Sequence, residues 1–149
     1  MNPNRRDDIS ARLAVDSMSL LAAVMDSRED AASAIFAAIA KQYEERGLYA
    51  LSVLMAEAIK KIGFSDSHGL ARIEMLNGGV PEDLPPESRA EIWAARFLVA
   101  HLNDDEDMRW ALWRAERDPA RLTSNVAALV GMAASIANQV WRVVRDDRY

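Results

Sequence analysis

The sequence predicts an all-α, single-domain bundle of six or seven helices, and three observations carry that prediction. No segment alternates apolar and polar residues as a half-buried strand does. Large apolar side chains recur at helical spacing through most of the chain. Acids, prolines and glycines punctuate those runs where helices would start and stop. A chain of 149 residues can hide roughly 70% of its unfolded surface, so it needs no crosslink or metal to hold a core.

A first helix is expected over Ile9 to Met25, with Leu13, Leu20, Leu21 and Val24 on one face. Asp26 and Ser27 can each accept from backbone amides of the next helix, and Glu29 and Asp30 place negative charge in its first turn. That second helix would bury Ile35, Phe36, Ile39 and Tyr43 and run to Arg46, with Gly47 ending it in a left-handed conformation. Leu48 to Ile62 forms a third, apolar almost all round, and Gly63 stops it. FSDSHG is a loop with capping residues, and Leu70, Ile73 and Leu76 support a short fourth helix. GGVPEDLPPE, with its three prolines, is a connector that divides the chain into possible halves 9–77 and 87–145 joined across 78–86.

Glu87 to Leu102 makes the fifth helix, and NDDED closes it and opens the sixth. Met108, Ala111, Leu112 and Ala115 are the expected inward residues of that sixth helix. Pro119 stands at the start of the last helix, where its missing amide costs nothing. Asn125 to Val144 is the longest nearly uncharged stretch, with Val126, Leu129, Val130, Ile136, Val140 and Val144 on one stripe, so this helix should be central. Ala128, Gly131 and Ser135 form a small face that would let a neighbouring backbone approach closely. Ser135, Asn138, Gln139 and Arg142 leave too short an apolar run to cross a membrane of about 30 Å.

Sliding the sequence along itself until Leu20 meets Phe97 lays LLAAVMDSREDAASAIF over FLVAHLNDDEDMRWALW, so that the two helix-start signals coincide. A further shift by a single position then lays YALSVLMAEA over AALVGMAASI. Ile39 falls opposite Glu116 and breaks the pattern. This alignment suggests two pseudo-repeated three-helix units, the third helix of each at the centre; the alternative is one irregular bundle.

Charge and composition exclude several functions. Net charge is −5, and 9 basic and 11 acidic residues up to Asn77 are followed by 9 and 12 after it, so neither half offers phosphates a basic footprint. With no cysteine there is no disulfide, thiolate metal site or cysteine nucleophile, in keeping with a cytoplasmic protein. The start, MNPNRRDDIS, lacks the apolar core of a signal peptide. Fifteen arginines against three lysines, with abundant alanine, resemble small helical proteins of high-GC bacteria.

Phe36, Ile39, Ala40 and Tyr43 stand at the spacing of an aromatic, a leucine, a small residue and a tyrosine, and Gly47 and Tyr49 follow at the turn. On these residues the stretch 36–59 resembles a single tetratricopeptide-type helical hairpin. The resemblance departs at Ala56 and Phe64, where an aromatic and a proline are expected, and no second copy follows at the usual spacing of that repeat. It implies peptide or protein binding on a concave helical face.

Arg109, Trp110, Trp113, Arg114 and Arg117 are the candidate partner-binding residues. Trp110 lies one helical turn from Arg114, and Arg109 and Arg117 lie one turn either side of Trp113, so guanidinium groups can stack on indoles. Such residues dominate binding energy at interfaces, and at least one tryptophan should lie at the solvent boundary. NDDED next to His101 invites a metal, but helix-capping acids explain it more simply. His101, four positions from Phe97 and eight from Trp93, is expected to be a satisfied, partly buried histidine. Ser65, Asp66, Ser67 and His68 share one loop and cannot converge as a triad. No catalytic residue, cofactor or metal is expected.

The reading is a small non-enzymatic interaction or regulatory module that binds a protein partner or itself. The alternative is a DNA-associated regulator acting as a dimer, with Lys60, Lys61, His68 and Arg72 on a helix-turn-helix-like stretch, though its turn is too long and its charge too balanced. A third reading is a ligand pocket beside Gly131, Ser135 and Asn138.

Overall fold

The structure, a computed structural model, describes residues 3–63 and 86–146. The expected loop FSDSHG, the fourth helix around Leu70 to Leu76, most of the proline connector and the end of the charged tail lie outside the described residues. The protein is all-helical. Among the described residues there are five helices and no strand: α1 (Pro3–Met25), α2 (Glu29–Gly63), α3 (Pro86–Leu102), α4 (Glu106–Ala115) and α5 (Pro119–Asp146).

The second and third expected helices are one run, α2, in which two helical segments meet without a loop at Glu44 (φ 56°, ψ −151°). A left-handed residue was expected at Gly47, three positions later. Gly47 is instead buried and helical, and it is needed for space: a Cβ there would overlap Tyr43 Cβ. The strained φ thus falls on a glutamate, at a cost of about 1–3 kcal/mol.

α5 packs against α1, α2 and α3 and is the central helix, as its uncharged stretch predicted. Val126, Leu129 and Val130 are buried, and Ala133, Ala134 and Ala137 carry the buried stripe onward. They meet Leu20, Leu51, Met55, Ile59 and Phe97 from the surrounding helices. Contrary to the expectation that its polar residues leave too short an apolar run, Pro119–Arg142 is long and apolar enough to cross a membrane by length and composition, a test that the core helix of a bundle also passes. The small face behaves differently from expectation. Gly131 and Ser135 are exposed, and among the described residues nothing lies within 4 Å of a Cβ built on Gly131. Alanines can be buried as readily as they can line a close contact, so the larger valines and leucines set the rotation of the helix instead.

The α1–α2 and α3–α4 turns have the same hydrogen-bond register, at positions that the alignment of Leu20 with Phe97 superposes. Arg28 N–H donates to Ala23 O (2.9 Å) and Ser27 N–H to Val24 O (3.1 Å); Asp105 N–H donates to Ala100 O (2.8 Å) and Asp104 N–H to His101 O (3.1 Å). Each is a Schellman closure, with Ser27 (φ 56°) and Asp104 (φ 54°) in the left-handed position. Ser27 therefore does not cap α2 as expected, because it is occupied in ending α1. Asp105 does cap α4, accepting from Met108 N–H at 3.1 Å. Asp118 likewise opens α5, accepting from Ala120 N–H at 3.0 Å ahead of Pro119.

Burial follows the same alignment. Leu13, Ser17, Leu20, Leu21 and Ala23 are buried, and so are their counterparts Ala90, Ala94, Phe97, Leu98 and Ala100. After the further shift by a single position, Leu48, Leu51, Ser52, Met55, Ala56 and Ile59 match Val126, Leu129, Val130, Ala133, Ala134 and Ala137. Each central segment also reaches the other half's first turn from near its own C-terminal end. Asn138 Nδ2 donates to Met25 O (3.3 Å), and Lys60 Nζ approaches Asp104 Oδ1 (3.7 Å).

Candidate interaction surface

α4 holds four of the five candidate residues, and its rotation decides their roles. Met108 is 49% exposed, and Ala111 and Ala115 are exposed too, so most of the expected inward stripe faces solvent. Of that stripe Leu112 alone turns inward, joined by Arg109 and Trp113. Trp113 explains the difference: an indole buries far more apolar area than two alanines, and the short helix turns to bury it.

Trp113 is buried at 4% exposure, and its Nε1–H donates to Glu45 Oε1 at 3.2 Å. It belongs to an aromatic cluster from three helices. Tyr49 stands edge-on to Trp113 (5.1 Å) and Phe97 (6.1 Å), Trp93 stacks on Phe97 (5.1 Å), and Trp93 Nε1–H donates to Leu112 O at 3.2 Å. Trp110 is the tryptophan at the solvent boundary, 38% exposed. Its ring stacks on Tyr49 at 4.4 Å with 14° between planes, and the Arg114 guanidinium lies 5.4 Å from its centroid. Of the expected arginine–indole pairs, this is the one formed among the described residues. Burial raises the Tyr49 phenol above its ordinary value, with Arg109 opposing and Glu106 adding.

Arg109 turns away from the surface. Its Nη1–H donates to His101 Nδ1 (2.5 Å), and His101 Nε2 lies 2.6 Å from Glu57 Oε2. A guanidinium can only donate, so Nδ1 accepts and Nε2–H donates to the carboxylate. His101 is the satisfied, buried histidine its position predicted, at 7% exposure. The hydrogen bond from His101 holds the Glu57 carboxyl below its ordinary value, helped by nearby Lys60 and Lys61 and opposed by burial. One chain of contacts thus joins α2, α3 and α4. Arg109 Nε is buried without a hydrogen-bond partner among the described residues.

Beyond the end of α4 a groove of about 670 Å³ opens between the α2 break and the start of α5. Ala40, Leu48, Trp113, Pro119 and Leu122 supply its apolar surface; Glu44, Glu45 and Glu116 supply acids, and Arg114 and Arg117 bases. The candidate residues are therefore brought together only in part. Arg114 links the Trp110 stack to the groove, Arg117 lines the groove, Trp113 floors it, and Arg109 serves the interior. Glu44, Glu45 and Leu48 were missed, although the charged run YEERG before Leu48 marked the break they stand on.

Among the described residues no group of three His, Asp or Glu side chains could hold a metal ion. A groove of about 710 Å³ beside Gly131 is lined by Ala90, Glu91, Ser124, Ala127, Ala128 and Met132, and neither Ser135 nor Asn138 lines it. No protein family matches the sequence, and no curated protein or solved structure matches it either.

Proposed function

We propose that the protein is a small non-enzymatic helical interaction module, binding a protein partner or itself through the outer face of α4 and the adjoining groove. The observation that carries this reading is Trp110, partly in solvent yet fixed by the Tyr49 ring and the Arg114 guanidinium. An aromatic ring already held in one rotamer loses little entropy when a partner covers it, which is what makes a good anchor. Exposed Met108, Ala111 and Ala115 extend the apolar area beside it. The tetratricopeptide-type resemblance of residues 36–59 points the same way, because Ala40 and Leu48 of that stretch line the groove. A cytoplasmic setting belongs to the same proposal and rests on the cysteine-free composition.

Trp113 is too deeply buried for a clean test of binding. The informative variant is Trp110→Ala with Arg114→Ala, both exposed. In a nuclease-treated pull-down at physiological salt, backed by light scattering, this variant should lose its partner or its self-association while keeping its helicity. Retained assembly would remove the α4 face from consideration.

We further propose that 9–77 and 87–145 are two pseudo-repeated three-helix units. The paired Schellman closures and the coincident burial of aligned positions support this. Separate expression of the halves offers a check: two related units should associate when mixed, whereas an irregular bundle should not reassemble.

A further inference from the structure

The groove beside α4 has acids alone on one wall, and two bases with one acid on the other. Glu44 and Glu45 stand on the α2 break; Arg114 and Arg117 stand at and just beyond the C-terminal end of α4, with Glu116 between them accepting from Asp118 N–H at 3.1 Å. Among the described residues none of these four takes part in an ion pair within the chain. All four are exposed around the apolar surface of Leu48, Trp113 and Leu122, with Glu45 also accepting from Trp113 Nε1–H and Arg114 lying over the Trp110 ring.

We propose that a second copy of this chain occupies this groove, in a two-fold symmetric dimer; the proposal rests on the α4 surface reading above. A face with an acidic wall opposite a wall where two arginines outnumber one acid is complementary to itself after a half-turn, since each copy's arginines then meet the other's Glu44 and Glu45. A partner of uniform charge would match one wall and be repelled by the other. At a net charge of −5 per copy, two chains repel at long range, so close association requires locally placed cations. Arg114 and Arg117 supply them. Trp110, held beside Arg114, adds an aromatic anchor next to the paired charges.

The decisive experiment is a charge exchange on the full chain, read by sedimentation equilibrium from low to high micromolar concentration. Wild type should dimerise. Arg117→Glu and Glu44→Lys should each raise the dissociation constant about tenfold or more, because each places like charges across the two-fold. The double variant Arg117→Glu/Glu44→Lys should recover most of the loss, since both cross-pairs are then restored with reversed sign. Circular dichroism confirms that each variant folds. A wild type that stays monomeric overturns the proposal. So does a dimer indifferent to both reversals, or a double variant no tighter than the singles. If such a protein still loses a partner on Trp110→Ala/Arg114→Ala, the α4 surface stands and only the second copy falls. If it does not, both readings fall.

Discussion

The two halves of the molecule share a turn and a burial pattern, yet only the second carries half-exposed tryptophans and the histidine and arginine of the ionic contact chain. In the alignment that superposes the turns, His101 corresponds to Val24 and Arg109 to Ala32; in the shifted alignment of the central segments, Glu57 corresponds to Ser135. Where one aligned segment has a residue that needs no charged partner, the other holds one of three that satisfy one another. Phe36 likewise corresponds to Trp113, and Ile39 to Glu116. Ile39 is buried within a helix that continues, whereas Glu116 sits in extended backbone at the end of α4. The comparison teaches that backbone closures and core periodicity tolerate such exchanges, while surface chemistry follows from them: ending α4 early leaves an open groove before α5.

The sharpest test of that contrast compares equivalent aromatics. Trp113→Ala should cost about 3–5 kcal/mol in urea denaturation, and half-buried Phe36→Ala about 1–2 kcal/mol. Equal losses would mean that the aromatic cluster around Trp113 adds nothing to its half. The glycines of the two central segments come next. Gly47→Ala should cost about 2–3 kcal/mol, because its Cβ meets Tyr43 Cβ, which a rotamer change cannot move.

A transplant tests the ionic chain. His101→Val alone strands Arg109 and Glu57 and should cost about 1–3 kcal/mol. Adding Arg109→Ala and Glu57→Ser, the residues at the equivalent positions, should recover part of that loss; strictly additive losses would show that the three do not act together. The pH dependence has a definite sign. Because the Glu57 pKa is lowered on folding, its contribution is present above the ordinary carboxylate range and lost as pH falls through its folded value. Melting temperature should therefore drop less on acidification in Glu57→Gln than in wild type. The smallest effect closes the glycine comparison: Gly131→Ala, in open space on a helix, should stabilise by about 0.5–1 kcal/mol.

Much of the architecture was legible in the residues. Strong apolar periodicity, NDDED and Pro119 before helices, and the uncharged run from Asn125 are local signals, and they placed most helix ends and the central helix correctly. The alignment of the two helix-start signals was legible too, but the left-handed closures at Ser27 and Asp104 were not. Rotation of α4 was not. Met108, Ala111, Leu112 and Ala115 form a respectable stripe by themselves, and only contact with Trp93, Tyr49 and Phe97 makes burial of Trp113 the better outcome.

Sequence alone thus determined the helical class, most helix boundaries and the central position of α5, because each depends on spacing within one segment. Tertiary structure decided which candidate residues share a surface. It drew Arg109 inward to His101, left Trp110 outside on Tyr49, moved the break in α2 from Gly47 to Glu44, and set Glu44 and Glu45 beside Arg114 and Arg117. These outcomes depend on competition among residues far apart in the chain for the same buried area and the same hydrogen bonds, and no local pattern records who wins it.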